Sequence, residues 1–235
     1  GNLQHSDMLG KNRWIGQFDM HWNVIHDLYA GSVPKQYRRK VWSIRKKVRD
    51  ALHELRWSML LSNRWREQWV DRKLQLGDRN WIFILGCNNS GTTLLSTVLR
   101  AHPMVRGLPR EGQHLTSGLP DTTSMNVGRV FSQRADALRW DEQTVGPDVL
   151  RVKYDWSVAF DEGPGMLLEK SPPNSLRSRW LQANFHPSQF ITIQRHPYAV
   201  CEGSRRRLGN SIDEVALHWR NVHAILEDDI PNLHQ

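Results

Sequence analysis

The stretch that most constrains this chain runs from Trp81 to Arg100. Trp81-Ile82-Phe83-Ile84-Leu85 is a short apolar run rich in β-forming residues and reads as a buried strand. Thr92 to Arg100 follows with Leu95, Val98 and Leu99 at helical spacing, and His102-Pro103 closes that helix. Between them lies Gly86-Cys87-Asn88-Asn89-Ser90-Gly91. A glycine-bearing loop between a strand and a helix turns its N–H groups, with the helix N-terminus behind them, toward an anion. Ser and Thr hydroxyls add donors. The spacing fits the nucleoside-triphosphatase loop G-x-x-x-x-G-K-[S/T], but Thr92 stands where the lysine belongs. Without that lysine the β/γ-phosphate contact of a kinase is missing. A plain glycine turn is the competing reading of the same residues. The flanking strand and helix favour the phosphate loop.

The rest of the chain repeats the alternation. Met166-Leu167-Leu168-Glu169 and Phe190-Ile191-Thr192-Ile193 read as strands. Leu176–Phe185, a segment from about Tyr198, and Ile212–Leu226 read as helices. Strands alternating with helices predict an α/β domain with a central parallel sheet, in a P-loop-like three-layer fold. Residues 104–165 are Gly/Pro-rich and read as irregular. In such folds, long loops at strand ends form substrate sites.

Residues 35–79 hold much of the basic charge, with apolar residues threaded through at 41, 44, 48, 52, 55 and 59. This predicts one or two long helices over 34–75, and a division into a basic helical block, 1–78, and an α/β domain, 79–235. The apolar stripe is expected to pack on the main domain. The alternative is that the Arg and Trp residues bind nucleic acid or anionic lipid. At 235 residues and a formal charge of +8, the chain is long enough for a sizeable core and favours an anionic partner. Two distant cysteines exclude a disulfide scaffold and a Cys-rich zinc site, and no metal site is expected. No run approaches the ~18 apolar residues of a spanning helix. The expected location is the cytoplasm, or the Golgi lumen if a membrane anchor has been removed.

Three ordered motifs together resemble the PAPS-dependent sulfotransferases, in particular bacterial members related to the tyrosylprotein enzymes. PAPS is 3'-phosphoadenosine-5'-phosphosulfate. The family's Lys/Arg-Ser-Gly-Thr-Thr loop is matched by Asn89-Ser90-Gly91-Thr92-Thr93. Its strand-terminal lysine is matched within Glu169-Lys170-Ser171-Pro172-Pro173-Asn174. Its strand-end arginine, followed by a turn and a helix, is matched by Gln194-Arg195-His196-Pro197-Tyr198. The resemblance covers about residues 80–230. It implies sulfuryl transfer to an acceptor hydroxyl by in-line displacement, with adenosine-3',5'-bisphosphate as the product. The acceptor classes are peptide tyrosine, carbohydrate and small molecule.

The resemblance implies that the loop donors Ser90, Gly91, Thr92 and Thr93 hold the 5'-phosphosulfate, with Asn88 and Asn89 also among the cofactor-binding residues, and that Arg195 forks onto the 3'-phosphate. Lys170 is the expected cation at the leaving oxygen. Glu111, in a segment like the one bearing the tyrosylprotein-type base, is the expected general base, with His102 and His114 as fallbacks. A further 3'-phosphate ligand is sought in Ser204 or one of Arg205, Arg206 and Arg207, because the family's serine position is Gly203 here. Trp140, Tyr154 and Trp156 are candidates for an acceptor pocket, or for core.

Two departures bear on activity. Asn89 replaces the loop cation, leaving Arg106, Arg110 or Lys170 to compensate. The chain also ends before the family's last strand and basic cofactor loop. The competing readings are a P-loop kinase, a donor-binding fold without transfer, and a nucleic-acid binder using the basic helices.

Overall fold

The computed structural model describes residues 35–60, 62–75, 79–160 and 163–233, with side chains from residue 47 onward. The chain divides into two compact units, residues 1–60 and 61–235.

In the first unit, helix α1 (Lys35–Met59) carries nine Lys/Arg against two Asp/Glu. It therefore holds seven of the chain's eight surplus positive charges. Val48, Leu52, Leu55 and Met59 recur at intervals of three and four and share one face.

The second unit begins with α2 (Asn63–Leu74), capped by Ser62, whose Oγ accepts from the Trp65 N–H (3.4 Å). Its Val70 and Leu74 are buried, and the helix packs against α5 (Val149–Ser157). The helix that the sequence groups with residues 1–78 thus packs within the α/β unit.

Four parallel strands form the sheet: β1 (Trp81–Leu85), β2 (Val105–Gly107), β3 (Met166–Lys170) and β4 (Ser188–Thr192), in the order β2-β3-β1-β4. β1 is buried throughout, as a central parallel strand covered on both faces must be. Ile82 and Ile84 meet Val105 and Leu168 on one face, where α3 (Thr92–Arg100) adds Leu95 and Leu99. On the other face Trp81 and Phe83 stack with centroids 6.0 Å apart, and Phe185 sets its edge against Trp81 at 4.9 Å. Trp156 of α5 joins them at 5.9 Å, and Phe185 directly follows α6 (Ser178–Asn184). Truncating one of these fully buried rings to Ala would cost about 3–5 kcal/mol.

Tyr154 and Trp156 are therefore core residues at 0% exposure, and Trp140 packs edge-on against Trp180. None of the three lines the cleft described below. Residues 104–165, read as irregular, contain β2 and α5. α7 (Pro197–Leu208) and α8 (Ile212–Asp229) pack on one another and complete the unit. Among the described residues no helix is long and apolar enough to cross a membrane.

Candidate active site

β1, β3 and β4 run parallel, so the chain leaves all three at one edge of the sheet. That edge receives the loop after Leu85, Lys170 at the end of β3, and Arg195 shortly after β4. Ligands of open α/β sheets bind at this carboxyl edge. A cleft of about 250 Å³ lies there.

The loop is held from below. The Gly86 N–H donates to Ser175 Oγ (2.7 Å). A Cβ on Gly86 would sit 2.5 Å from the Ile193 carbonyl oxygen, and its φ of +147° also calls for glycine. Asn89 takes the left-handed conformation at φ 64°, which Asn tolerates better than longer side chains do. α3 starts at Thr92 with no side-chain cap, and its first intrahelical bond is Leu95 N–H to the Gly91 carbonyl (3.0 Å). The N–H groups of Thr92, Thr93 and Leu94 thus have no intrahelical acceptor. Asn88, Asn89, Gly91, Thr92 and Thr93 line the cleft. Ser90 is buried beneath them, its Oγ without a hydrogen-bond partner among the described residues.

Lys170 and Glu111, 59 residues apart, meet in the cleft with Nζ 2.8 Å from Oε1. The other carboxylate oxygen accepts from Gln113 Nε2 (2.9 Å), and His114 Nε2 lies 3.7 Å away. Buried Glu169 explains how this pair is aimed. It accepts from the Gly112 N–H (2.9 Å), from Ser171 Oγ and from Asn174 Nδ2. Trp156 Nε1 donates to the Gly112 carbonyl (3.1 Å). Glu169 thus fixes the residue after Glu111 while sitting next to Lys170 in the chain. Burial pushes the Glu169 carboxyl above its ordinary value, opposed by its hydrogen bonds and by Arg177. Arg177, also fully buried, is pushed down to about 10.

Arg195 donates from Nη1 to the Asn89 carbonyl (2.9 Å), joining the β4 exit to the loop. Its own carbonyl accepts from Trp219 Nε1 (3.0 Å). Ser204 is not brought to the cleft. α7 turns it inward at 2% exposure, and its hydroxyl donates to Asn210 Oδ1 (3.0 Å). Gly203 and Arg207 line the cleft instead. Glu202 claims Arg205 and Arg206, whose close contacts hold its carboxyl down to about 2. Arg207 pairs with no carboxylate among the described residues.

Arg129 is a cleft residue that the sequence reading missed. It lies in the Gly-rich middle stretch, at no fixed offset from any motif. Arg106 and Arg110 are not among the cleft residues. Arg106 lies against Gly163, and Arg110 donates to the His114 carbonyl (2.5 Å).

A cleft lined by loop amides, hydroxyls and arginines, with a Lys–Glu pair beside it, suits a doubly anionic ligand and a proton transfer next to it. The sequence profile of the sulfotransferase family matches residues 81–230, and the chain belongs to that family. Two solved structures are similar to part of the chain. The sulfotransferase domain of the Synechococcus PCC 7002 olefin synthase is 24% identical, with a TM-score of 0.40 over 67% of this chain and 63% of that one. The sulfotransferase domain from the curacin biosynthetic pathway is 18% identical, with a TM-score of 0.42 over 66% of this chain and 64% of that one. The chain thus spans a little under two thirds of each. No curated protein matches.

Proposed function

We propose that this protein transfers the sulfuryl group of 3'-phosphoadenosine-5'-phosphosulfate to an acceptor hydroxyl. The observation that carries this reading is the Lys170–Glu111 pair, 2.8 Å apart in a cleft whose other wall is the phosphate loop. The residues present fit the donor. Three helix N–H groups without an intrahelical acceptor offer hydrogen bonds to an anion, and the buried Ser90 hydroxyl beneath them has no partner among the described residues. Arg195 and Arg207 stand on the α7 side for a second phosphate. When bound, the donor supplies an electrophilic sulfur and a bisphosphate leaving group.

The roles of the protein's own residues follow from charge flow. Glu111 accepts the proton of the attacking hydroxyl through its carboxylate. As the new S–O bond forms and the S–O bond to the 5'-phosphate breaks, negative charge grows on the phosphate oxygen. The Lys170 ammonium neutralises that oxygen, and the loop amides hold the phosphate in line. Glu111 and Lys170 already share a hydrogen bond, so approach of substrate exchanges one charged partner for another rather than baring a charge.

Acceptors of three chemical classes remain in view: peptide tyrosine, carbohydrate hydroxyl and small phenol. A donor-dependent transfer assay with radiolabelled sulfur across those classes tests the proposal. Label should move to at least one of them with wild-type protein and not with Lys170→Ala. Equal transfer by Lys170→Ala would refute the assigned role.

A further inference from the structure

The family's loop cation is absent, because position 89 is Asn. Lys170 is engaged by Glu111 at 2.8 Å, Arg195 is engaged by the Asn89 carbonyl at 2.9 Å, and Arg207 stands on α7. Among the described cleft residues, Arg129 is the remaining cation.

We infer that Arg129 replaces the missing loop cation and binds the 5'-phosphosulfate end of the donor. This rests on the reading of the cleft given above. Three observations carry it. Arg129 shares the cleft with Asn88, Asn89, Thr92 and Thr93, the residues that would surround that phosphate. Its backbone is tied to the loop, since Asn88 Nδ2 donates to the Gly128 carbonyl at 3.2 Å and to the Arg129 carbonyl at 3.4 Å. The residues that follow anchor it in the core: Val130 and Phe131 are buried, and Ser132 Oγ lies 2.8 Å from His218 Nδ1. Arg129 makes no ion pair among the described residues, so its charge is available to a ligand.

The exchange has a local logic. The loop keeps a left-handed residue at position 89, where Asn is well tolerated, and its cation comes from a neighbouring segment. Asn88 then does more than line the cleft: it sets where Arg129 stands.

The test measures binding of adenosine-3',5'-bisphosphate by calorimetry and sulfuryl transfer, in the full chain. Arg129→Gln should weaken the bisphosphate about tenfold or more, and lower kcat by about 10²-fold, the usual loss for one charge-stabilising donor. Arg129→Lys should keep most of both. Adding Asn89→Lys to Arg129→Gln, which returns a cation to the loop, should recover part of the loss. Wild-type affinity and turnover in Arg129→Gln would overturn the inference. So would losses that Arg129→Lys shares fully and that track a lower melting temperature of the free protein, since Arg129 would then be a packing residue. If wild-type protein does not bind the bisphosphate, the reading of the cleft itself fails, whatever Arg129 does.

Discussion

Acid should loosen this protein through one buried histidine. His218 on α8 is 2% exposed, meets Phe131 edge-on with centroids 4.5 Å apart, and lies 2.8 Å from Ser132 Oγ through Nδ1. Burial, assisted by the nearby His223, pushes it from 6.5 down to about 4. The folded protein therefore keeps the ring neutral where the unfolded chain protonates it. The unfolded state binds more protons between those two values, so the stability is fully present above pH 6.5 and is lost as pH falls toward 4. At about 1.4 kcal/mol per pH unit the ceiling is about 3 kcal/mol, with about 2 kcal/mol gone by pH 5. Urea unfolding at pH 7.5, 6 and 5, at constant ionic strength, compares wild type with His218→Gln. The variant should be less stable at pH 7.5 and its pH profile flatter, by about 2 kcal/mol over this range. Parallel profiles would show that His218 titrates alike in both states and would refute the reasoning. Ser132 also belongs to the segment that carries Arg129, so the contact bears on the role proposed for that residue.

Two further outcomes follow from the buried support of the site. Glu169→Ala removes the acceptor of three buried donors and the charge facing Arg177. It should cost about 3–5 kcal/mol in urea unfolding at pH 7, and a loss under about 1 kcal/mol would contradict the role given to it. Glu111→Gln should lower kcat about 10²–10⁴-fold while leaving bisphosphate affinity near wild type. Joined with Lys170→Ala it should cost far less than the product of the two single losses, because the residues act as a pair; multiplicative losses would separate them.

The sheet and the loop were legible in the sequence because strong local signals carry them. β1 is five consecutive apolar β-formers, and α3 begins at the expected Thr92. β2 and α5 were not, for physical reasons. β2 is three residues long, including Arg106 and Gly107, too short to show a period, and its place comes from pairing with β3. α5 has nine residues, and its Asp148 cap lies in a Gly/Pro-rich stretch. The motif residues Lys170, Glu111 and Arg195 reach one cleft because parallel pairing puts their strand ends on one edge. Ser204 lies about 100° around α7 from Gly203, one residue along the helix, which turns its side chain from the cleft toward the interior. Arg129 had no sequence signal, since a loop contact made by the Asn88 side chain depends on tertiary packing alone.

The central claim is that this cleft binds an adenosine carrying phosphate at both the 3' and 5' positions. Calorimetric titration of wild type and Arg195→Ala with adenosine-3',5'-bisphosphate tests it most directly. The account predicts saturable, one-site binding by wild type and at least tenfold weaker binding by the variant, from loss of the charged fork on the 3'-phosphate. No binding of the bisphosphate, with tight binding of ATP–Mg²⁺ in its place, would contradict it.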